Sequence, residues 1–502
     1  MTISFNNIPA DWQLPLVHIE VDPSRAGTRT IIQPALLVGQ KLTAGTAPAD
    51  QPIAIASNAQ AIDAFGLGSM LERMVDKFLA NNLGALLYCL PLAEPGAGTA
   101  ATGSITVSGA PTQAGVLYLY IAGQRVSVGL LGTESTAQAA VKITAAIQAA
   151  TTLPVTAVTV GSASNLTCRW KGLTGNDIVL TDNYYGVIGG EARPSGLTLT
   201  YSAMSGGTGA PSMTAAITAV GDDVYDYVGM PFTDSTSLGA WEVEYGFSDA
   251  GRWGWLRQSY GTIFTAIRDT YANHISYGVT QNSPVISMLA IETSSPSPIW
   301  EWTAAYTSKA ARALVNDPAR PLKTLEFEAI MPAKKGTRFN TMERDNLLHV
   351  GLSAQSVSSN AKATINRGVM QYQKNSYGQP DTAYHDITTL HTLAYIFREL
   401  QAHVTSIFPR HKLANDGVRY GTGQAIVTPN GVRGELVSAY GALVRAGMVE
   451  NIDAFKTNLI VERNANDPNR LDALYPPDLV NQLNVFAVLA QFRLQYPTTT
   501  TI

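Results

Sequence analysis

"QPALLVGQ", Gln33 to Gln40, and "GALLYCL", Gly84 to Leu90, are two short apolar runs with no polar face. Between them Met70, Leu71, Met74, Val75, Phe78 and Leu79 recur at helical spacing. A strand that is apolar on both sides is buried on both sides, and an amphipathic helix between two such strands implies a parallel sheet covered by helices. This reading sets the body of the chain as α/β. The rhythm returns later: "YDYVGMPF" reads as a strand, Ser235 to Phe247 as a helix, and "SPVISMLAIET" as a strand. "SPIWEWTAAYTSKAARALVN" then reads as a helix and "LKTLEFEAI" as a further strand.

Between these two blocks the composition changes. From about residue 96 to residue 210 the chain fills with Gly, Thr, Ser and Ala, in stretches such as "GSITVSG", "GVLYLYIAGQRVSVG" and "GLTLTYS". Short alternating strands with Gly-rich turns indicate a β-sandwich or barrel, here interrupted by one helix near Thr136 to Ala150. "MSGGTGAPS" closes the stretch as a hinge. The expected organisation is an arm and linker over 1–30, an α/β domain over 31–95 plus 211–335, an inserted all-β domain over 96–210, and a C-terminal α+β assembly domain over 336–502.

The two ends carry strands without a local partner. Near the start, Val17, Ile19 and Val21 alternate with polar neighbours, followed by the polar linker Asp22 to Thr30. Near the end, "NVFAVLAQFRLQY" places Phe486, Val488, Ala490, Phe492, Leu494 and Tyr496 on one face of a strand, at period two. "TNLIVERN" offers Leu459 and Val461 as an internal partner. The polar stretch "NDPNRLDALYPPD" between them reads as a turn. One edge of that pair stays open, and an open apolar edge calls for another chain. Ahead of them, an apolar stripe through Ile387, Leu390, Leu393, Ala394, Phe397, Leu400, Val404 and Ile407 predicts a long helix ended by Pro409.

The bulk numbers fit a protein that lives against other protein surfaces. Charged residues make up 14% of the 502, against about 25% in ordinary soluble domains. The net charge of −4, without a Lys/Arg run, argues against nucleic-acid binding. No apolar run of about 18 residues predicts a membrane span, and the first residues lack the pattern of a secretory signal. Cys89 and Cys168 are isolated, which predicts reduced, buried thiols.

No catalytic constellation emerges. His385, His391, His403 and His411 lack the i, i+4 spacing of a metal pair, and His391 and His403 are expected on a helix surface or an interface. "GTGQAIVTPNG" reads as a loop. The acid pairs Glu242/Glu244, Asp222/Asp223 and Glu326/Glu328 read as solvated faces rather than acid–base dyads. In "WEVEYGFSDAGRWGWLRQSY", Trp253 and Trp255 would share a strand face as a sugar platform, though packing is the simpler reading. No cofactor and no metal are expected.

Taken in order, "LVHIEVDPSRAG", "LYLYIAGQRVSVG…GLTGNDIVLTDNYYG…MSGGTGAP", "VGDDVYDYVGMPFTDSTSLGAWEVEY", "NSYGQPDTAYHDITTLHTLAYIFREL" and "RLDALYPPDLVNQLNVFAVLAQFRL" resemble the tail sheath proteins of Mu-like contractile-tailed bacteriophages. The resemblance spans essentially the whole chain. It implies a structural, non-enzymatic subunit that stacks as hexameric rings around a tail tube, is assembled in the host cytoplasm and ends in the virion tail. The tube, baseplate and tail terminator proteins are the implied partners, with contraction driving the tube through the bacterial envelope. It further implies that terminal arms of neighbouring subunits add strands to a C-terminal sheet. The expected exchange residues are Val17, Ile19, Val21, Leu459, Val461, Phe486, Val488, Phe492 and Leu494. The competing readings are an extracellular carbohydrate-binding or hydrolytic β-rich protein, which the absence of a signal sequence disfavours, and another phage part such as tube or baseplate.

Overall fold

The computed structural model describes residues 33–418, 420, 421 and 423–494. The expected N-terminal strand with Val17, Ile19 and Val21 and its linker lie outside the described residues, as does the tail beyond Leu494.

The first strand, β1 (Ala35–Gln40), is buried at every residue, as its unbroken apolar run requires. After the short β2 (Ile53–Ala54) come α1 (Asn58–Phe65), α2 (Met70–Asn81) and β3 (Leu87–Leu92). The start of α2 is set by Ser69, whose hydroxyl accepts from Glu72 N at 3.1 Å, while the Glu72 carboxylate reaches back to Gly68 N. β1 runs parallel to β3, with Ala35 opposite Leu87 and Gln40 opposite Leu92.

The insertion follows β3. It comprises β4 (Ala100–Gly109), β5 (Gly115–Ile121), β6 (Gln124–Leu130), α3 (Thr136–Ala149), β7 (Val155–Val160), β8 (Ala163–Lys171), β9 (Leu180–Asp182) and β10 (Thr198–Ser205). The strands make two antiparallel sheets, ordered β10-β4-β8-β7 and β6-β5-β9, and α3 packs against both. At the neck, Thr99 and Thr208 exchange both backbone hydrogen bonds at 3.2 Å. The insertion shares its core with the body: one apolar cluster runs through both, and Trp170 meets Trp300 edge-on with ring centres 5.5 Å apart. Charge crosses as well. Arg268 lies 3.2 Å from Asp177, and Arg73 on α2 bonds both Glu301 and the carbonyl of Ala122.

The chain then returns through α4 (Met213–Val220), β11 (Tyr227–Gly229), α5 (Ser235–Glu244), β12 (Thr262–Asp269), α6 (Tyr271–Gly278), β13 (Ile286–Glu292) and α7 (Ile299–Asn316). The six-stranded sheet has the order β13-β12-β11-β1-β3-β2, parallel throughout except where β2 meets β3. Gly229 lets α7 approach closely: a Cβ there would stand 2.6 Å from Leu37 Cδ2 and 2.8 Å from Thr307 Oγ1. The strand β12 and the helix α6 were not foreseen from sequence.

The expected strand "LKTLEFEAI" is absent. Thr324 and Ala329 adopt positive φ (60° and 58°), which breaks the extended run, and only Glu326 bridges to Thr364. Phe327 is buried, but Ala329, expected on the same face, is exposed, so the alternation does not hold along the run. The remainder is α8 (Thr341–His349), the hairpin β14 (Ala354–Val357) and β15 (Ala363–Arg367), α9 (Ile387–Ile407), the pair β16 (Lys412–Leu413) and β17 (Ile426–Val427), α10 (Pro429–Arg445), α11 (Ile452–Asn458), and the hairpin β18 (Ile460–Arg463) and β19 (Leu471–Leu474). The stretch "GTGQAIVTPNG" is therefore more than a loop. Thr428 accepts from Gly431 N and Pro429 takes the first helical position, so α10 begins inside it.

Candidate assembly site

Two apolar cores meet along α9. Its first half, with Ile387, Leu390 and Ala394, is buried in the main cluster. Further along, Ile396 belongs to a second cluster with Val432, Leu436, Tyr440, Leu443, Phe455 and Leu459. At the centre of that second core Tyr440 stacks flat on Phe455, with ring centres 3.8 Å apart and planes at 7°. Tyr475 closes it edge-on, 5.0 Å from Phe455.

His391 is a correction to the sequence reading. It is buried rather than on a surface, stacks on Tyr227 at 5.1 Å and shares a 2.9 Å hydrogen bond with Thr262 Oγ1. Burial pushes its imidazole down to about 3, so it stays neutral. His403 is part-exposed beside Glu435. About two turns beyond His391, Arg398 lies 2.6 Å from the buried carboxylate of Asp226. Burial outweighs that attraction and raises the Asp226 carboxyl to about 6.

The terminal pairing also differs from expectation. β18 pairs with β19, Ile460 opposite Leu474 and Arg463 opposite Leu471. The partner strand thus lies within the stretch that reads as a polar turn, not in the terminal strand. A nearby hairpin closes at low entropic cost, and Asn464 supports the turn by accepting from Asn466 N and Asp467 N. Leu459 is buried and Val461 packs on the second core, whereas Ile460 and Leu474 face outward. Among the described residues these two strands pair only with each other.

Beyond β19 the chain is pinned to the body as far as Asn484. Glu450 N donates to Asp478 O, Val480 N to Met448 O, and the Tyr440 hydroxyl to Glu450 O at 2.6 Å. Gln482 Nε2 donates to Ala319 O, and Lys323 Nζ to the carbonyls of Leu483 at 2.5 Å and Asn484 at 3.3 Å. From Val485 to Leu494 the chain belongs to no strand among the described residues. Phe486 is 80% exposed, Val488 70%, Phe492 85% and Leu494 96%. Fully burying one such side chain contributes about 1.5–3 kcal/mol, so this segment leaves much of its apolar surface unused.

The other candidates resolve into packing. Glu244 is held by Arg252 and Arg257, and Asp222 by Arg257. Trp253 is buried with its indole N–H on Gly261 O, while Trp255 is exposed on a turn, so the two do not form one platform. Burial raises both thiols, Cys89 well above its ordinary value and Cys168 to about 12. Among the described residues, no group of three or more His, Cys, Asp or Glu side chains is placed to hold a metal ion, and no helix is long and apolar enough to cross a membrane.

Among the described residues the body thus presents a hairpin that pairs with no further strand and an exposed apolar segment, the build of an assembly subunit. Residues 206–369 match the central domain of phage tail sheath proteins, and residues 379–493 match the phage tail sheath C-terminal domain. The chain is 39% identical over 496 residues to the Mu-like prophage FluMu tail sheath protein of Haemophilus influenzae, covering 98% of this chain and 100% of that one. The chain belongs to the phage tail sheath family. Among solved structures it is similar to the sheath tail protein of Desulfitobacterium hafniense (12% identity, 92% of this chain and 100% of that one, TM-score 0.46). It is also similar to a chain of the anti-feeding prophage baseplate (9% identity, 96% and 99%, TM-score 0.49).

Proposed function

We propose that this chain polymerises around a tail tube as stacked hexameric rings, held in a metastable extended state until contraction drives the tube through the bacterial envelope. The tube, baseplate and tail terminator proteins are its other partners. The role is structural, not enzymatic, with assembly in the host cytoplasm and a final place in the virion tail. Domains over 31–95 plus 211–335, 96–210 and 336–502 divide the work, the last carrying the connections between subunits.

The observation that supports this reading is that one chain carries both an exposed apolar segment, Val485 to Leu494, and a hairpin, β18–β19, that pairs with no further strand among the described residues. Phe486, Val488, Phe492 and Leu494 of one subunit form a strand on the hairpin of another, next to Leu459 and Val461. The N-terminal strand with Val17, Ile19 and Val21 adds on in the same way. Main-chain hydrogen bonds then hold the lattice while the bodies slide. Deleting residues 1–21 tests it: circular dichroism should show a folded subunit, and electron microscopy should show no cylinders. Cylinders that form and contract like the parent's would sink the role of the N-terminal strand.

A further inference from the structure

Ten residues, Tyr475 to Asn484, join the end of β19 to the exposed segment Val485 to Leu494. A flexible connection of that length would hold the segment near its own hairpin at an effective concentration on the order of millimolar. A second copy offers the same hairpin only at the concentration of the subunit, which in dilute solution is far lower. A loose segment would therefore close on its own hairpin first. Yet Phe486, Val488, Phe492 and Leu494 are exposed, and β18 and β19 pair only with each other among the described residues.

The connection is not loose. Pro476 and Pro477 have no N–H to donate, so β19 cannot continue through them. Asp478 N donates to the Tyr440 hydroxyl at 3.2 Å, and the Asp478 carboxylate accepts from Asn451 Nδ2 at 2.6 Å. Leu479 bridges Val449, in the turn between α10 and α11. The chain is next tied to the stretch after α7, through Gln482 Nε2 on Ala319 O at 3.3 Å. There the ammonium of Lys323 donates to two successive carbonyls, Leu483 O and Asn484 O, the last before the apolar segment. Lys323 is itself anchored in the body, because the N–H of the next residue, Thr324, donates to Ile365 O on β15 at 2.7 Å. Bonds from a charged donor are stronger than neutral ones, and two of them fix the root of the segment.

We propose that Lys323 is a positioning residue for strand exchange: with Gln482 it clamps the root of the C-terminal segment to the body, so that the segment cannot close on its own hairpin and the hairpin stays open for a second copy. The inference rests on the strand-exchange reading above and adds to it the device that keeps a subunit from capping itself. Rigid anchoring lowers the effective concentration of the segment at its own hairpin, since a connection that cannot span the two sites contributes nothing to their pairing. The same segment remains available to any neighbour.

The test uses the full chain, dilute and unassembled, with amide hydrogen exchange read over 485–494. Exchange should be fast in the parent. In Lys323→Met combined with Gln482→Ala it should slow by about tenfold or more, together with outer-edge amides of β18 or β19, and the slowing should not change on further dilution. Lys323→Met alone, read in the same way, guards against a double variant that folds poorly. Lys323→Arg still donates to both carbonyls and should behave as the parent. Exchange as fast in the Met variants as in the parent would overturn the inference. So would a slowing that fades on dilution, which belongs to pairing between chains, or one that Lys323→Arg shares. Protection of the same amides in parent cylinders reads strand exchange separately. Present beside unslowed variants, it sinks the clamp alone; absent, it sinks both.

Discussion

Arg398, 2.6 Å from the buried Asp226, joins the two cores of this subunit: it stands on α9 between the main cluster and the C-terminal one, and Asp226 immediately precedes β11. The backbone N–H of Asp226 also donates to Pro34 O, where the chain enters the sheet. Arg398→Ala leaves a buried carboxylate unpaired. Breaking a buried pair in this way costs about 3–5 kcal/mol, to be read from denaturant unfolding. A loss under 1 kcal/mol, roughly the level of an exposed pair, would contradict the pair's structural role.

The same carboxyl predicts a pH dependence. Its value in the fold is raised to about 6 from 3.8, so the folded state holds the proton more tightly than the unfolded one. The penalty of the buried charge is therefore fully present above pH 6 and is relieved as pH falls from 6 towards 4. Asp177 is raised to about 6 by burial as well and contributes in the same direction. The difference between parent and Asp226→Asn stability, measured from pH 4 to 8, isolates Asp226. A flat difference curve would show that Asp226 ionises as it does unfolded.

The C-terminal core depends on the flat stack of Tyr440 on Phe455. Phe455→Ala should cost about 3–5 kcal/mol, as large-to-small changes of buried aromatics do. It should also raise proteolysis between α10 and β19, leaving the six-stranded sheet protected. Cleavage confined to the sheet instead would place the weak point elsewhere.

Removing the insertion is predicted to carry a cost that its composition alone does not reveal. Joining Leu92 to Ser212 through a Gly/Ser linker would strip Trp170 from Trp300 and leave Arg268 without Asp177. The truncated body should be less stable than the parent by several kcal/mol, since one unpaired buried charge alone costs about 3–5. An unchanged unfolding midpoint would show that the shared core contributes little.

How far the sequence could be read follows from local physics. β1, β3, α2 and α7 were legible because unbroken apolar runs and helical stripes are dictated by burial alone. His391 falls four residues after Ile387 on the stripe of α9, and that spacing signals burial, but its residue type suggested a surface. β19 was hidden because Asp472 faces outward within a run of turn-forming residues. The Thr428–Pro429 pair, a cap followed by proline at the first helical position, was the signal that could have located α10. The apolar face of Val485 to Leu494 was legible as a strand pattern. Its partner was not, since β18 is already paired with β19 and no other strand of this chain meets the segment within the described residues.

On that segment, charge at apolar positions should separate assembly from folding. Phe486→Asp and Phe492→Asp should abolish cylinders while shifting subunit stability by no more than about 0.5 kcal/mol, because both side chains are exposed in the single chain. Gln491→Asp, on the opposite face, should assemble. Equal loss in all three would point to the segment's charge rather than to a buried strand face.

The central claim is that Val485 to Leu494 becomes a strand on another subunit's hairpin, and amide hydrogen exchange of this segment tests it most directly. Measured in unassembled subunits and in assembled cylinders, exchange should be fast in the first. On assembly, amides of 485–494 should become protected together with those along the outer edges of β18 and β19. Exchange that stays fast across 485–494 in intact cylinders would contradict the account.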